Sequence, residues 1–151
     1  MLDEFDRKIL RVLQSDPAVT MSGLAEAVGL SQTPCWRRVK QMEASGVIAG
    51  RAVLLDAGKL GYGVVLFASV RIGGHDEDTL NRFEEQVATH PEIVDCYSMS
   101  GDSDYLLRIL VDSIQGYERF LKETLLHLPG VVSLNSNFAL KRVKSTTCVP
   151  V

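Results

Sequence analysis

Two carboxylates, Asp102 and Asp104, sit one residue apart in the run Gly101-Asp102-Ser103-Asp104. Side chains that close could serve as a metal site or as an acid–base pair. The same run also suits a β-hairpin turn, because Gly, Asp and Ser favour turns on conformational grounds. On the residues alone the turn is preferred, since no His or Glu lies beside the pair to complete a metal shell. The histidines His75, His90 and His127 are scattered. The cysteines Cys35, Cys96 and Cys148 are odd in number and form no C-x-x-C. Neither a zinc site nor a disulfide framework is expected. With no activated nucleophile and no paired acid and base, the chain is expected to be no enzyme and to need no cofactor or metal.

A different chemistry lies between Ser31 and Ala44. Arg37, Arg38 and Lys40 there face a single acid, Glu43. At about 100° per residue the apolar stripe Cys35, Val39 and Met42 points one way. Thr33, Arg37 and Lys40 then point nearly opposite, with Arg38 and Gln41 on the flanks. Arg is suited to a bidentate contact with guanine, and Lys and Thr to phosphates or base edges. Taken alone, this stretch is either a DNA-reading helix or a solvated basic face, with DNA the preferred reading. Cys35 is assigned to the core, and Trp36 is read as a partly buried packing residue.

These residues need elements to position them. Leu2, Phe5, Ile9, Val12 and Leu13 form one helical stripe, ended by Asp16-Pro17. Thr20 caps a second helix carrying Met21, Leu24, Ala25 and Val28, and Gly29 stands where a left-handed C-cap falls. The third helix starts near Ser31 or Thr33, with Pro34 in its first turn, and Gly46 stops it. Three short helices with a tight second junction describe a helix-turn-helix. Arg51 to Leu55 reads as a strand, and Gly58, Gly61 and Gly63 mark a linker.

Beyond the linker the period changes. Strands are expected at Val64–Ile72, Ile93–Met99, Tyr105–Val111 and Val131–Leu140, and helices around Leu80–Val87 and Ile114–Leu125. The order β-α-β-β-α-β is the ferredoxin-like pattern. The fold class is therefore α+β, a winged-type helix-turn-helix followed by a ferredoxin-like βαββαβ domain. The expected division is 1–50 for DNA binding, 51–63 for a strand and linker, and 64–151 for effector binding and assembly. The basic tail Lys141-Arg142-Val143-Lys144-Ser145-Thr146-Thr147-Cys148 is read as either a DNA contact or a solvated strand end, with the solvated end preferred.

Several separated motifs, in order, resemble the leucine-responsive/asparagine-regulator (Lrp/AsnC) family. Leu30-Ser31-Gln32-Thr33-Pro34-Cys35-Trp36-Arg37-Arg38-Val39-Lys40 is similar to its recognition helix, with Gln32 where many members have proline. Leu2-Asp3-x-x-Asp6-x-x-Ile9-Leu10, Gly46-Val47-Ile48-x-Gly50, Leu55-Asp56 and Leu60-Gly61 match its first helix, exit and linker. Ser100-Gly101-Asp102-x-Asp104-Tyr105-Leu106-Leu107 resembles its effector loop, with Ser103 where an aromatic is common. Thr124-Leu125-Leu126-x-Leu128-Pro129-Gly130-Val131 resembles its last helix and strand. The resemblance covers almost the whole chain.

It implies a sequence-specific transcriptional regulator that binds double-stranded DNA through Ser31, Gln32, Thr33, Arg37, Arg38, Lys40 and Gln41. It also implies a cleft between dimers that takes an amino acid as effector. Backbone N–H groups around Gly101 would hold its carboxylate, and Asp102 or Asp104 its ammonium. Ser98, Met99 and Ser100 would shape the pocket. Ser136 and Asn137 either face the same cleft or form the solvated face of a strand. A homo-oligomer is implied, a dimer assembling to a tetramer or octamer, with Gly63–Ile72 and Arg51–Leu55 as candidate contacts. An amino-acid-binding module acting on an enzyme is the alternative, but it leaves the basic face without a purpose.

Composition agrees with these classes. The 151 residues are 46% hydrophobic and 23% charged, as in soluble globular proteins. The net charge is −3, yet the part before residue 52 is slightly basic and the rest acidic. The acidic start Leu2-Asp3-Glu4-Phe5-Asp6 is unlike a signal peptide, and no apolar run is long enough to span a bilayer. A cytoplasmic protein with no membrane partner is expected.

Overall fold

The computed structural model describes residues 2–74 and 76–151, so His75 lies outside the described residues. The chain divides into two compact units. One runs to Leu54 and includes Lys144–Val151; the other is Leu55–Val143.

The first unit is built from α1 (Glu4–Ser15), α2 (Met21–Val28) and α3 (Gln32–Ala44). Asp3 starts α1 with a capping box: its carboxylate accepts from the Asp6 N–H at 2.9 Å, and Asp6 returns the bond to the Asp3 N–H at 3.0 Å. Thr20 caps α2, accepting from the Gly23 N–H at 3.1 Å. Gly29 ends α2 at φ +74°, a left-handed conformation that glycine adopts without a Cβ clash. Ser31 is the N-cap of α3 but makes no side-chain capping bond. The three helices bury Ile9, Leu10, Leu24, Ala25, Val28, Cys35, Val39 and Met42 together. Phe5, expected in that stripe, is instead partly exposed, and Leu10 takes a core place.

Residues 144–151 belong to the helix unit and clasp α1. The Gln14 side chain donates to the Val149 carbonyl at 3.1 Å and accepts from its N–H at 2.6 Å. Arg11 Nε donates to a Val151 main-chain oxygen at 2.8 Å, and the Val151 side chain packs on the helix core. Residues 141–148, read as a solvated strand end, are exposed; the fixed backbone partners and the apolar anchor come after them, at Val149 and Val151. The second unit correspondingly stops short of residue 151.

The second unit contains β1 (Val64–Ile72), α4 (Glu77–Thr89), β2 (Ile93–Ser98), β3 (Tyr105–Val111), α5 (Ile114–Glu123) and β4 (Val131–Phe138), with one 3-10 turn at Leu125–His127. All neighbouring strands are antiparallel, in the order β2-β3-β1-β4. β1 alternates in burial. Leu66, Ala68, Val70 and Ile72 meet Leu107, Ile109, Phe83, Val87, Tyr117, Phe120 and Leu125 under the two helices. The other face, with Val65, Phe67, Leu106 and Leu110, carries no helix.

Two expectations about contacts change. β1 is paired along both edges, by β3 and β4, so only its outward side chains remain available to another chain. Arg51–Leu55 forms no strand, because a lone extended segment has no ladder partner within the chain; Val53 is 86% exposed.

Gly130 illustrates how tightly the α5–β4 corner is set. It has φ +73°, and an added Cβ would lie 2.5 Å from Thr79 Cγ2 and 2.9 Å from Ile72 Cγ2. Its carbonyl also accepts from the Gly73 N–H at 2.8 Å. Gly130→Ala combines a left-handed penalty with overpacking and is expected to cost about 3 kcal/mol. Urea unfolding checks this; an unchanged midpoint would show that the corner relaxes freely.

Among the described residues no helix is long and apolar enough to cross a membrane, and no three His, Cys, Asp or Glu side chains are grouped to hold a metal ion.

Candidate nucleic-acid interface and ligand loop

α3 has two faces. Cys35, Val39 and Met42 are buried, and burial holds Cys35 in its thiol form. Ser31, Gln32, Thr33, Trp36, Arg37, Lys40 and Gln41 are all exposed. The structure therefore brings six of the seven expected DNA-facing residues onto one open surface. Lys40 reaches back to Glu43 at 2.7 Å, an exposed pair one turn along the helix, and the Lys40 ammonium lowers the Glu43 pKa. Exposed pairs of this kind contribute under about 1 kcal/mol, so Lys40 can exchange Glu43 for a phosphate.

Arg38 is the seventh, and it turns the other way. Its Nη1 donates to Asp3 Oδ2 and to Asp6 Oδ1, both at 2.7 Å. The guanidinium lies 5.7 Å from the Phe5 ring centroid. Arg38 thus ties α3 to the capped start of α1. Its helical position is nearer the buried stripe than Arg37 is, and two carboxylates decide which way it leans.

Asp3 gains a depressed pKa, chiefly from the Asp6 N–H and then from Arg38. A depressed carboxylate pKa contributes stability that is complete above the unfolded value and is lost as pH falls through the folded value. Arg38→Ala should lower the melting midpoint of the helix unit by a few degrees at neutral pH. It should also shrink the additional loss seen below about pH 4. The Asp6 side chain is only 14% exposed and would be left without its cation. Calorimetry across the acid range checks both parts.

Trp36, read from the sequence as a partly buried packing residue, is 51% exposed. It lies on the flank of α3 opposite Arg38, with Lys40 one turn further on the same side.

The second candidate site is the loop between β2 and β3. The Met99 N–H donates to the Asp104 carbonyl at 2.9 Å, closing the turn. The Asp104 N–H donates to the Val70 carbonyl at 2.9 Å, and its Oδ2 accepts from the Ile72 N–H at 2.7 Å. Asp104 therefore pins the loop to the end of β1. Gly101 holds φ +124° with open space around it, and Met99, Ser100 and Asp102 are exposed.

The remaining expected ligand residues lie elsewhere in this chain. Ser98 points under the sheet, into a cavity of about 410 Å³ lined by Glu84, Val87, Cys96 and Tyr105. There the Tyr105 hydroxyl donates to Glu84 at 2.7 Å, and burial together with Glu84 raises the pKa of both Tyr105 and Cys96. Ser136 also faces the helices, its hydroxyl against that of Tyr117. Asn137 faces the open side of the sheet, paired with Phe67. Neighbouring strand residues point to opposite faces, so Ser136 and Asn137 lie on different sides of the sheet.

Similarity to known proteins covers both units. The family described as winged helix-turn-helix DNA-binding matches residues 2–49, and that described as the Lrp/AsnC ligand binding domain matches 65–149. The DNA-binding transcriptional activator DecR of Escherichia coli K12 is 38% identical, covering 100% of this chain and 99% of its own. The crystal structure of an AsnC family transcriptional regulator from Agrobacterium tumefaciens is 45% identical with a TM-score of 0.94, covering 99% and 97% of the two chains. A transcriptional regulator of Neisseria meningitidis in complex with L-Met is 37% identical with a TM-score of 0.94, again covering 99% and 97%.

Proposed function

The chain belongs to the Lrp/AsnC family of DNA-binding transcriptional regulators, and from that premise we propose which residues read DNA and which take the effector. α3 lies in the major groove with Ser31, Gln32, Thr33, Arg37, Lys40 and Gln41 toward the duplex. Arg37 addresses a base edge, and Lys40 and the hydroxyls address phosphates. Arg38 is not in this set, since it holds α3 against α1. The observation that carries the reading is the continuous exposed face opposite the buried Cys35, Val39 and Met42.

The loop Met99–Asp104 takes a free amino acid, as the L-Met complex of the Neisseria regulator suggests for a relative. Main-chain N–H groups at Gly101 receive the carboxylate. Exposed Asp102 receives the ammonium, and Asp104 keeps the loop in shape. A second copy of the chain covers the open sheet face, and Arg51–Leu55 gains its strand partner across the same assembly. Larger rings follow if dimers join through the ligand loops.

An effector can alter DNA binding only by favouring one arrangement of these copies over another. A site between copies meets that condition. The protein acts as a cytoplasmic regulator, not as an enzyme.

The test is anisotropy of labelled DNA from upstream of the chain's own gene, titrated with protein and with each proteinogenic amino acid. Saturable, salt-sensitive binding that one or two amino acids shift is expected. Binding no better than to random DNA would overturn the reading.

A further inference from the structure

Among the described residues, no ring, cation or hydrogen-bond partner explains the place of Trp36. Among the described residues of the helix unit, the other aromatic, Phe5, has the Lys8 ammonium 5.6 Å and the Arg38 guanidinium 5.7 Å from its ring centroid. Trp36 has no ring or cation contact and no hydrogen bond from its indole N–H among the described residues, and it remains 51% exposed. It is the fifth residue of α3, within the N-terminal part that meets base edges when such a helix enters a major groove. Lys40 stands one turn further on the same side, and Arg37 and Thr33 complete the surface. An indole set among cations and a hydroxyl suits an apolar spot bordered by phosphates and base acceptors. In the major groove the apolar spot is the C5-methyl of thymine.

We propose that Trp36 is a specificity-determining DNA contact whose indole packs on a thymine methyl in each half-site. This rests on the assignment of α3 as the DNA-reading helix and deepens it. Arg38 and Trp36 flank the exposed face on opposite sides. One is drawn back to α1 and the other is left forward, so the apolar side of the face reads the base and the tethered side sets the helix angle.

The sequence holds a single tryptophan, so its fluorescence reports this position alone. The experiment uses the full-length protein and DNA it selects from a random-sequence pool. Saturating selected DNA should shift and quench the wild-type emission. Trp36→Ala should weaken selected-site binding by on the order of a hundredfold, one lost base-pair discrimination in each of two half-sites, with non-specific affinity retained. Replacing individual thymines by deoxyuridine removes only the methyl. At one position per half-site this should weaken wild type roughly fourfold, the burial of one methyl, and leave Trp36→Ala indifferent. Trp36→Phe should keep part of the thymine preference.

Unchanged emission with DNA bound, or the same sequence preference in Trp36→Ala, would overturn the Trp36 assignment while leaving the DNA-reading helix in place. Equal loss of selected and random DNA together with altered sedimentation would make Trp36 a packing residue. Failure of wild type to select any sequence would overturn the helix assignment, and the Trp36 contact with it.

Discussion

Changing Arg37 and Lys40 together to alanine lowers affinity for the selected operator by on the order of a hundredfold. A bidentate Arg–guanine contact is worth about 1–3 kcal/mol, and a Lys on a phosphate lowers the salt slope by about one. A two-fold dimer carries each contact twice, which multiplies the loss. The fold has no stake in either side chain. Arg37 is exposed, and Lys40 pairs only with Glu43 on its own helix. The double variant should therefore melt as wild type does, within the small contribution of an exposed pair. DNA titrations at several salt concentrations check the claim. Affinity and salt slope that match wild type would remove α3 from the interface, whatever the sequence pattern suggests.

The helices and strands were legible because their periods are local. Cys35, Val39 and Met42 repeat at helical spacing and are buried; Leu66, Ala68, Val70 and Ile72 repeat at strand spacing and are buried. Glycines at 29 and 130 sit where a positive φ was needed. The βαββαβ order followed from these alternations alone.

What escaped the sequence depended on distant partners. Arg38 sits on a flank from which it can lean either way, and Asp3 and Asp6, more than thirty positions earlier, decide the direction. Gln14 meets Val149 across almost the whole chain, and no periodicity encodes that clasp. Asp104 looked like a ligand acceptor because its chemistry allowed it; only the fold shows its carboxylate taking the Ile72 N–H. Ser136 and Asn137 are a different case. Their types alone left them either facing the effector cleft or on the solvated face of a strand, and the period-two rule adds only that they point to opposite faces of the sheet.

Phe67→Asp is expected to dissociate the dimer proposed to form through the open sheet face. Phe67 is central in β1, between Arg108 on β3 and Asn137 on β4, and its ring is 38% exposed on the helix-free face. Val65, Leu106 and Leu110 share that face, and the Arg108–Asp95 ion pair crosses it. Such a surface buries well against a copy of itself, since two sheets packed face to face interdigitate their side chains. A carboxylate there must either be desolvated or face its symmetry mate, and like charges so placed cost several kcal/mol. The dimer dissociation constant should rise by at least about a hundredfold, seen by sedimentation. Phe67→Leu should stay associated, because it keeps an apolar side chain of similar size. DNA affinity should fall with the dimer, since a lone unit grips one half-site and loses the linked second grip. The monomer itself should stay folded, because the core lies under the helices on the opposite face of β1. If Phe67→Asp sediments as wild type does, the open face is not where copies meet, and the exposed Val53–Leu55 segment becomes the surface on which assembly must rest.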